Sequence, residues 1–414
     1  DHNQLVMDTL QKVANRHDLV CLLHEKPFAG VNGSGKHNNW SLSTECANLL
    51  SPGKTPHSNA QFMTFLAAII AAVDEYAPLL RLSAASAGND HRLGANEAPP
   101  AIISIFLGEQ LTEIIDQIKD GVLTSSREAS TMKLGVTTLP EFPKDVTDRN
   151  RTSPFAFTGN RFEFRMVGSA QSISGPNIVI NTIMAEILGR IADELEPVAK
   201  EQFEAKLNEI IERLIKKHYR IIFNGDGYSK DWVVEAEKRG LPNIKAAVEA
   251  LHLFNDPSYI AMFEKHGVFT AGEVEARREI MLDEYSKTIN IEAQVAIEMV
   301  KKEIIPAVID YVANISDAMN STKAAVPQAN VSVQENLVIK ISDKLADVQM
   351  KLNDLEDKLA KTHEIEDVLE EARAFKYDVF EAMQALRVPC DELETLVAQD
   401  FWPFPTYSDL LFRV

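Results

Sequence analysis

The chain has 414 residues, and its content of 45% hydrophobic and 25% charged residues is typical of a folded protein with a sizeable core. Its formal net charge of −19 argues against a protein that coats nucleic acid, because such proteins carry basic patches. The length predicts roughly two or three domains, and the charge predicts no nucleic-acid partner.

Cysteine content and hydropathy bear on the location of the protein. The three cysteines, Cys21, Cys46 and Cys390, show no metal-binding spacing and are too few for a disulfide scaffold, which favours a reducing compartment. The longest apolar run, residues 65–73, is shorter than the ~20 residues of a membrane span, and no secretory signal is visible. These features predict a cytoplasmic protein without a membrane partner.

Hydrophobic periodicity predicts an α+β chain in which strands concentrate before residue 170 and helices follow from residue 177. The elements predicted in the first part are, in chain order, a helix over 4–16, a buried strand over 19–23, a Gly-rich loop with a second strand, a helix over 57–80, a loop over 83–100, a β-like run over 101–107, a helix over 109–119, a polar loop over 141–160 and a strand over 161–167.

Apolar residues near the end of the chain are spaced as in a coiled coil. They follow a helix-like stretch over 271–321 and a break over 324–329, and they step by 4-3-4-3-4 positions: Ile341, Leu345, Val348, Leu352, Leu355 and Leu359. This pattern predicts an antiparallel pair of long helices that packs on the body of the protein or on a neighbouring subunit. A purely intramolecular helical bundle fits the pattern equally well.

A glycine-rich loop leads into a histidine within residues 24–43, HEKPFAGVNGSGKHNNWSLS. Glycines allow backbone N–H groups to approach an anion closely, and His37 directly after the turn can offer a neutral imidazole to a metal. The combination is typical of a nucleotide-dependent active site, although a surface turn with a solvated histidine is the simpler alternative. Residues 30–36 also match G-x-x-x-x-G-K, but His37 stands where a phosphate-binding loop needs Ser or Thr, so Lys36 is not predicted to bind phosphate.

The strand over 161–167 alternates polar and aromatic residues. Arg161, Glu163 and Arg165 share one face, and Phe162 and Phe164 lie on the other. The polar face fits either a cross-strand salt-bridge ladder or a site in which Glu163 ligates Mg²⁺ or Mn²⁺ while the arginines clamp carboxylate or phosphate oxygens.

Four motifs occur in a characteristic order: NGSGKH, RLGANEAP, RNR and RFEFR. This order resembles glutamine synthetase, and the longer segments at 24–41 and 148–165 resemble its type III branch. The resemblance covers about residues 1–290, since the segments LPNIKAAVEAL and DEYSKTI are similar to the end of the family's catalytic domain. It implies the C-terminal part of a catalytic barrel of antiparallel strands with flanking helices, followed over 291–414 by a helical C-terminal extension.

The resemblance also implies an activity and its participants. It implies ATP-dependent ligation of ammonia to L-glutamate through γ-glutamyl phosphate, with Mg²⁺ or Mn²⁺ as metal and ATP as co-substrate. Glutamate, ammonium and ATP would be the small-molecule partners, and the chain would form a homo-oligomer of stacked rings, a dodecamer. A catalytically inactive helical assembly protein is the alternative, and a guanido-phosphotransferase is disfavoured by the amine-handling flap.

Carried over position by position, the resemblance assigns a role to each matching site residue. Substrate binding would fall to Asn32, Gly33, Arg92 and Arg165, and metal ligation to His37 and Glu163. ATP binding would fall to Ser41, Arg151 and Arg161, and catalysis to Glu97, Arg92, Arg151 and Arg165. Within the catalytic set, Glu97 would receive a proton from ammonium on the flap that closes the site, and Arg151 would stabilise charge on the phosphate.

The sequence departs from the family pattern in three places. Asn39 replaces a usual second histidine, Ala156 replaces an arginine expected five positions after Arg151, and the flap loop between Arg92 and Glu97 is one residue shorter. Glu25 is the single acidic candidate near the glycine loop, while the family's site needs further carboxylate ligands. We therefore expect the 414-residue chain by itself to be inactive and the working polypeptide to be several hundred residues longer.

Overall fold

A computed structural model describes residues 2–28, 30–53, 55–95, 98–121, 131–132, 142–143, 150–405 and 409. The chain divides into two compact units: unit 1 comprises residues 1–9 and 22–278, and unit 2 comprises residues 10–21 and 279–414. The predicted domain boundary at residue 290 rests on the family resemblance alone and stays a prediction.

The described α-helices are numbered in chain order. They are α1 (His2–Arg16), α2 (Ala60–Glu75), α3 (Ala77–Ser83), α4 (Ala87–Arg92), α5 (Glu109–Asp120), α6 (Ser174–Leu195), α7 (Phe203–His218), α8 (Lys230–Lys238), α9 (Ala247–His252), α10 (Pro257–Lys265), α11 (Ala271–Met299), α12 (Ile305–Ala325), α13 (Ser332–Thr362), α14 (Val368–Ala374) and α15 (Glu381–Glu394). Two π-helical segments, Val300–Ile304 and Phe375–Phe380, lie between α11 and α12 and between α14 and α15.

The described strands belong to unit 1. They are β1 (Gly35–Trp40), β2 (Ile105–Phe106), β3 (Thr131–Met132), β4 (Phe142–Pro143), β5 (Phe155–Phe157) and β6 (Phe162–Gly168). Four of them form a sheet in the order β1-β6-β5-β2, and β3 pairs with β4 separately. The expectation of antiparallel barrel strands needs correction here, because β2 pairs with β5 in parallel and the described four-stranded sheet does not close.

Helix α2 forms the apolar centre of unit 1. Eleven of its residues are buried, among them Phe62, Leu66 and Ile69, and the helix packs against α6 and α7. The single helix predicted over 57–80 is divided into α2 and α3, which meet at 77°, because Pro78 has no N–H group to continue the first helix. No single described helix is long and apolar enough to cross a membrane. The bent pair of α2 and α3 together has the length and composition of a membrane span, on those two criteria only.

Two local predictions in the first 100 residues are wrong. No strand forms over 19–23, and Leu19 and Val20 are more than half exposed, because an apolar run without a partner strand cannot complete its hydrogen bonds. The predicted loop over 83–100 contains α4, which begins where the Ser86 side chain accepts a hydrogen bond from the Asn89 N–H at 3.2 Å.

Unit 2 is helical in its described residues. Helix α13 packs against α12 and α15, and the predicted apolar seam lies in these contacts. Four seam residues are completely buried, Leu359 is 9% exposed and Leu345 is half-buried. The seam is therefore buried within the same chain, as one of the two predicted arrangements requires.

Candidate active site

The candidate site lies on the pair of strands β1 and β6. They run antiparallel, with Asn39 opposite Glu163. Between Lys36 and Asn38 the register shifts, so that one residue of β1 lies opposite two of β6, Arg165 and Met166. Bulges of this kind locally redirect side chains and are common beside active sites. Here the bulge lies opposite His37, between Phe164 and Val167 of β6.

Strand β1 is attached to α6 by its inward-facing side chains. The Asn38 side-chain amide donates to Asn177 Oδ1 at 2.9 Å, and Trp40 Nε1 donates to Asn181 Oδ1 at 2.9 Å. The spacings match, because two strand residues rise about 6.6 Å and four helical residues about 6 Å. This attachment leaves His37 and Asn39 on the opposite face of the strand, where both are exposed.

The Glu163 carboxylate joins His37 to Arg165. His37 Nδ1 lies 3.1 Å from Glu163 Oε1, although the two residues are 126 positions apart in the chain. On the other oxygen, Arg165 donates from Nε at 2.8 Å and from Nη2 at 2.5 Å to Glu163 Oε2. The structure thus brings together the two predicted metal ligands and one predicted substrate-binding arginine.

The charge state of Glu163 follows from these contacts. Burial by itself would raise the pKa of the Glu163 carboxyl, but the hydrogen bonds and charges of Arg165 and His37 outweigh burial and hold that pKa below its ordinary value. The carboxylate is therefore ionised at neutral pH. A half-buried, ionised carboxylate beside an exposed imidazole is a suitable donor set for a hard divalent cation.

The geometry of the two donor atoms fits one shared ion. Imidazole and carboxylate ligands bind divalent metals at about 2.0–2.2 Å. Two such ligands at a right angle are then separated by about 3 Å, which is close to the 3.1 Å between His37 Nδ1 and Glu163 Oε1. His37 and Glu163 can thus bind the same cation without rearrangement of the strands.

Arg165 is held by the main chain as well as by Glu163. Its Nη1 donates to the carbonyl oxygens of Asn150 and Ser153, the second at 3.3 Å. These bonds orient the guanidinium along the sheet, and they leave part of Nη2 for a further acceptor. Asn150 was not predicted as a site residue, although its position inside the RNR motif was a signal for it.

Arg92 lies in the interior, away from solvent. Its guanidinium donates to Asn89 Oδ1 at 3.2 Å and to the carbonyl oxygens of Arg165 and Met166 in β6, at 2.9 and 3.2 Å. It also passes so close to Gly35 that a Cβ atom at that position would collide with it. In this arrangement Arg92 ties α4 to β6, and its assigned contact with substrate stays a prediction.

The remaining predicted residues lie at the periphery. Asn32 is exposed and Gly33 half-buried in the loop before β1, and Arg151 and Arg161 are exposed. The Ser41 hydroxyl donates to the Asn160 carbonyl oxygen at 2.8 Å, beside Arg161. Glu97 lies outside the described residues.

Two of the departures from the family pattern are neighbours of the same carboxylate. Glu163 has Asn39 as its Cα partner on β1 and Ala156 as its Cα partner on β5. Ala156 is only 1% exposed, so this side of Glu163 is closed by packing, whereas Asn39 is exposed. The sequence did not indicate that positions 39 and 156 flank one residue, because that follows only from strand pairing.

Comparisons with known proteins agree with these motifs. A family model described as the glutamine synthetase catalytic domain matches residues 1–104, and one described as the glutamine synthetase C-terminal domain matches residues 206–323. The second match begins before residue 290 and so overlaps the part that the sequence analysis places in the catalytic domain.

Curated relatives align with the whole chain. The type-3 glutamine synthetase of Dictyostelium discoideum is 45% identical over 418 residues, and the glutamine synthetases of Butyrivibrio fibrisolvens and Bacteroides fragilis (strain YCH46) are 41% and 39% identical over 424 residues. Each alignment covers 100% of this chain but 57%, 59% and 58% of the respective relative, so the chain spans less than two thirds of their length. With both family models and these relatives in agreement, the chain belongs to the glutamine synthetase family.

Proposed function

We propose that this chain contributes to a glutamine synthetase active site, in which ATP phosphorylates the γ-carboxylate of glutamate and ammonia displaces phosphate to give glutamine. The observation that carries the proposal is the cluster of His37, Glu163 and Arg165 on β1 and β6, in which His37 is exposed, Glu163 half-buried and Arg165 buried. Such a cluster combines a cation-binding pair with a guanidinium donor, as phosphoryl transfer to a carboxylate requires.

Each residue of the cluster has a distinct part in this proposal. His37 and Glu163 would hold Mg²⁺ or Mn²⁺, which when bound supplies positive charge against the ATP phosphates. Arg165 keeps Glu163 ionised and oriented. Its remaining N–H group would donate to the developing negative charge of the reacting carboxyl or phosphoryl group. The exposed Arg151 and Arg161 are available to bind ATP phosphates, with Ser41 along the nucleotide.

Three wider features belong to the same proposal and rest on family resemblance. The four-stranded sheet would be a segment of the family's barrel, the protein would assemble into stacked rings of identical subunits, and it would work in the cytoplasm. The three cysteines are unpaired, which is compatible with a reducing compartment. Light scattering of the purified protein measures the subunit number directly.

The test uses the purified full-length protein that contains this sequence. Calorimetric Mn²⁺ binding and glutamine formation from glutamate, ammonium and ATP are measured for the wild type, Glu163→Gln and His37→Ala. We expect both variants to bind Mn²⁺ at least about 10-fold more weakly and to form glutamine about 100-fold more slowly. Glu209→Gln, an exposed carboxylate on α7, is the matched control and should behave as wild type.

The same experiment separates the proposal from its alternative. An inactive assembly protein would form no glutamine under any condition, and its Mn²⁺ binding would not depend on Glu163. Undiminished Mn²⁺ affinity in Glu163→Gln would remove the observation on which the proposal rests.

A further inference from the structure

Glu25 is a buried carboxylate outside the cluster of His37, Glu163 and Arg165. It lies in the coil between α1 and β1 and is only 4% exposed. Burying a carboxylate is unfavourable unless hydrogen bonds and countercharges compensate for the lost hydration. The contacts of Glu25 therefore indicate what its burial accomplishes.

The Glu25 side chain contacts two separate segments of unit 1. Its Oε1 accepts a hydrogen bond from the Ala170 N–H at 2.9 Å, in the turn that follows β6. A Cβ atom at Gly168 would lie 3.0 Å from the same oxygen, and one at Gly88 in α4 would lie 2.7 Å from the carboxyl carbon. Glycine at both positions leaves the space that the carboxylate occupies.

The main chain of Glu25 holds the glycine loop. Its carbonyl oxygen accepts a hydrogen bond from the Ser34 N–H at 2.7 Å. A Cβ atom at Gly33 would lie 2.7 Å from this oxygen, so the loop can fold back on Glu25 only with glycine there. Glu25 thus links the loop with its predicted substrate residues, Asn32 and Gly33, to both α4 and the end of β6.

Two cations accompany this carboxylate. Burial lowers the pKa of Arg92, and the negative charge of Glu25 opposes that effect. Burial likewise lowers the pKa of Lys36, again with Glu25 acting in the opposite direction. Glu25 is therefore a negative charge that stabilises the charged forms of the buried Arg92 and the half-buried Lys36 beside the glycine loop.

We propose that Glu25 is a positioning residue that fixes the loop over 30–35, and with it Asn32 and Gly33, against α4 and β6 in the geometry that binds glutamate. This inference rests on the proposed function for the identity of the substrate. Glu25 itself lies beneath the loop and does not need to touch substrate, nucleotide or metal. Its loss should therefore affect glutamate far more than ATP or Mn²⁺.

Kinetics of three variants test the substrate selectivity of this role. Glu25→Ala removes the charge and the acceptor for Ala170, and Gly88→Ala displaces the carboxylate sterically. We expect both to raise the KM for glutamate roughly 10-fold or more, while the KM for ATP and the Mn²⁺ affinity change less than about twofold. Glu25→Gln keeps the acceptor oxygen and should recover part of the loss.

Amide hydrogen exchange gives a second readout that does not depend on activity. In Glu25→Ala the Ser34 and Ala170 amides should exchange faster, while amides in α7 keep their wild-type rates. Glu209→Ala, at an exposed position, is the control for both experiments. The melting temperature of each variant is measured so that all assays are run on folded protein.

The outcomes distinguish this inference from the proposed function. If the wild type forms no glutamine, the proposed function fails, and the exchange of Ser34 and Ala170 still tests the loop attachment. Unchanged exchange at both amides in Glu25→Ala would overturn the inference. Equal losses toward glutamate, ATP and Mn²⁺ would overturn it as well, since they would indicate general damage to the fold.

Discussion

At the residue scale, the site depends on the two oxygens of one carboxylate. Glu163 Oε1 lies beside His37 and Oε2 accepts hydrogen bonds from Arg165, so an imidazole and a guanidinium contact different oxygens of the same carboxylate. Lys36, one position before His37, belongs to different contacts, because its ammonium donates to Asn3 Oδ1 and to the Gln171 carbonyl oxygen. Neighbouring residues of one strand thus serve separate purposes, as strand alternation requires.

The contrast between Lys36 and Arg165 gives a direct prediction. Lys36→Met should leave glutamine formation within about threefold of wild type, because the two hydrogen bonds that are lost, to Asn3 and Gln171, lie outside the cluster of His37, Glu163 and Arg165. Arg165→Lys should reduce it roughly 100-fold, since lysine cannot donate the paired N–H groups that hold Glu163. Initial rates at saturating substrates decide the ranking. A near-dead Lys36→Met beside an active Arg165→Lys would restore the phosphate-loop interpretation of residues 30–36.

The flanks of Glu163 give a second prediction at this scale. Ala156→Arg places a long side chain where alanine is 1% exposed, and it should lower the free energy of unfolding by about 1–3 kcal/mol. Asn39→His lies at an exposed position on the β1 side of Glu163 and should change the free energy of unfolding by no more than about 0.5 kcal/mol. Urea denaturation measures both variants. Equal stability of the two would mean that the β5 side of Glu163 is as open as the β1 side.

At the scale of elements, strands and helices fit together through matched spacings. Asn38 and Trp40 are two positions apart in β1, and their side chains hydrogen-bond to Asn177 and Asn181, which are four positions apart in α6. The apolar seam of α13, with its 4-3 spacing, packs against α12 and α15. Where the regular helical hydrogen bonding is interrupted, the type of helix changes. The π-helical segment Val300–Ile304 ends two residues before Pro306, whose ring has no N–H to donate.

The seam of α13 can be tested by a charge in its centre. Leu352→Asp should destabilise unit 2 by several kcal/mol, because the carboxylate would be buried without a partner. Met350→Asp, two positions earlier on the same helix and 56% exposed, is the control and should be nearly neutral. Thermal unfolding followed by circular dichroism compares the two. A wild-type transition in Leu352→Asp would show that the seam is not a stabilising contact.

At the scale of the whole molecule, buried charge makes stability depend on pH. Glu186 on α6 is 6% exposed and accepts hydrogen bonds from Arg190, Lys265 and His266, each at 2.8 Å. Burial alone would raise the pKa of Glu186, but these three partners lower it to about 2. Since the unfolded chain binds this proton at an ordinary pKa, the stabilisation is complete above that value and is lost as the pH falls toward 2.

Glu186→Gln should therefore lose about 3 kcal/mol of unfolding free energy at neutral pH. The difference from wild type should shrink as the pH falls from about 4.5 to 2, where the wild-type carboxyl also becomes neutral. Urea denaturation at several pH values, followed by tryptophan fluorescence, measures the two curves, with Glu209→Gln as control. A difference that stays constant over this range would mean that protonation of Glu186 does not contribute to acid unfolding.

Local patterns in the sequence determined the features that depend on neighbouring residues. The alternation of RFEFR predicts a strand with Glu163 and Arg165 on one face, and the 4-3 steps predict a buried helical seam, because each follows from the period of one element. Four ordered motifs likewise sufficed to indicate the family, since motif order requires no knowledge of contacts.

Only the tertiary structure decided which distant residues meet. The approach of His37 to Glu163, the parallel pairing of β2 with β5 and the burial of Arg92 and Glu25 all depend on partners far away in the chain. The same reason explains the wrong strand over 19–23, where an apolar run looks like a strand but has no partner to pair with. Periodicity describes the faces of an element, whereas hydrogen-bond partners and burial are properties of the folded chain.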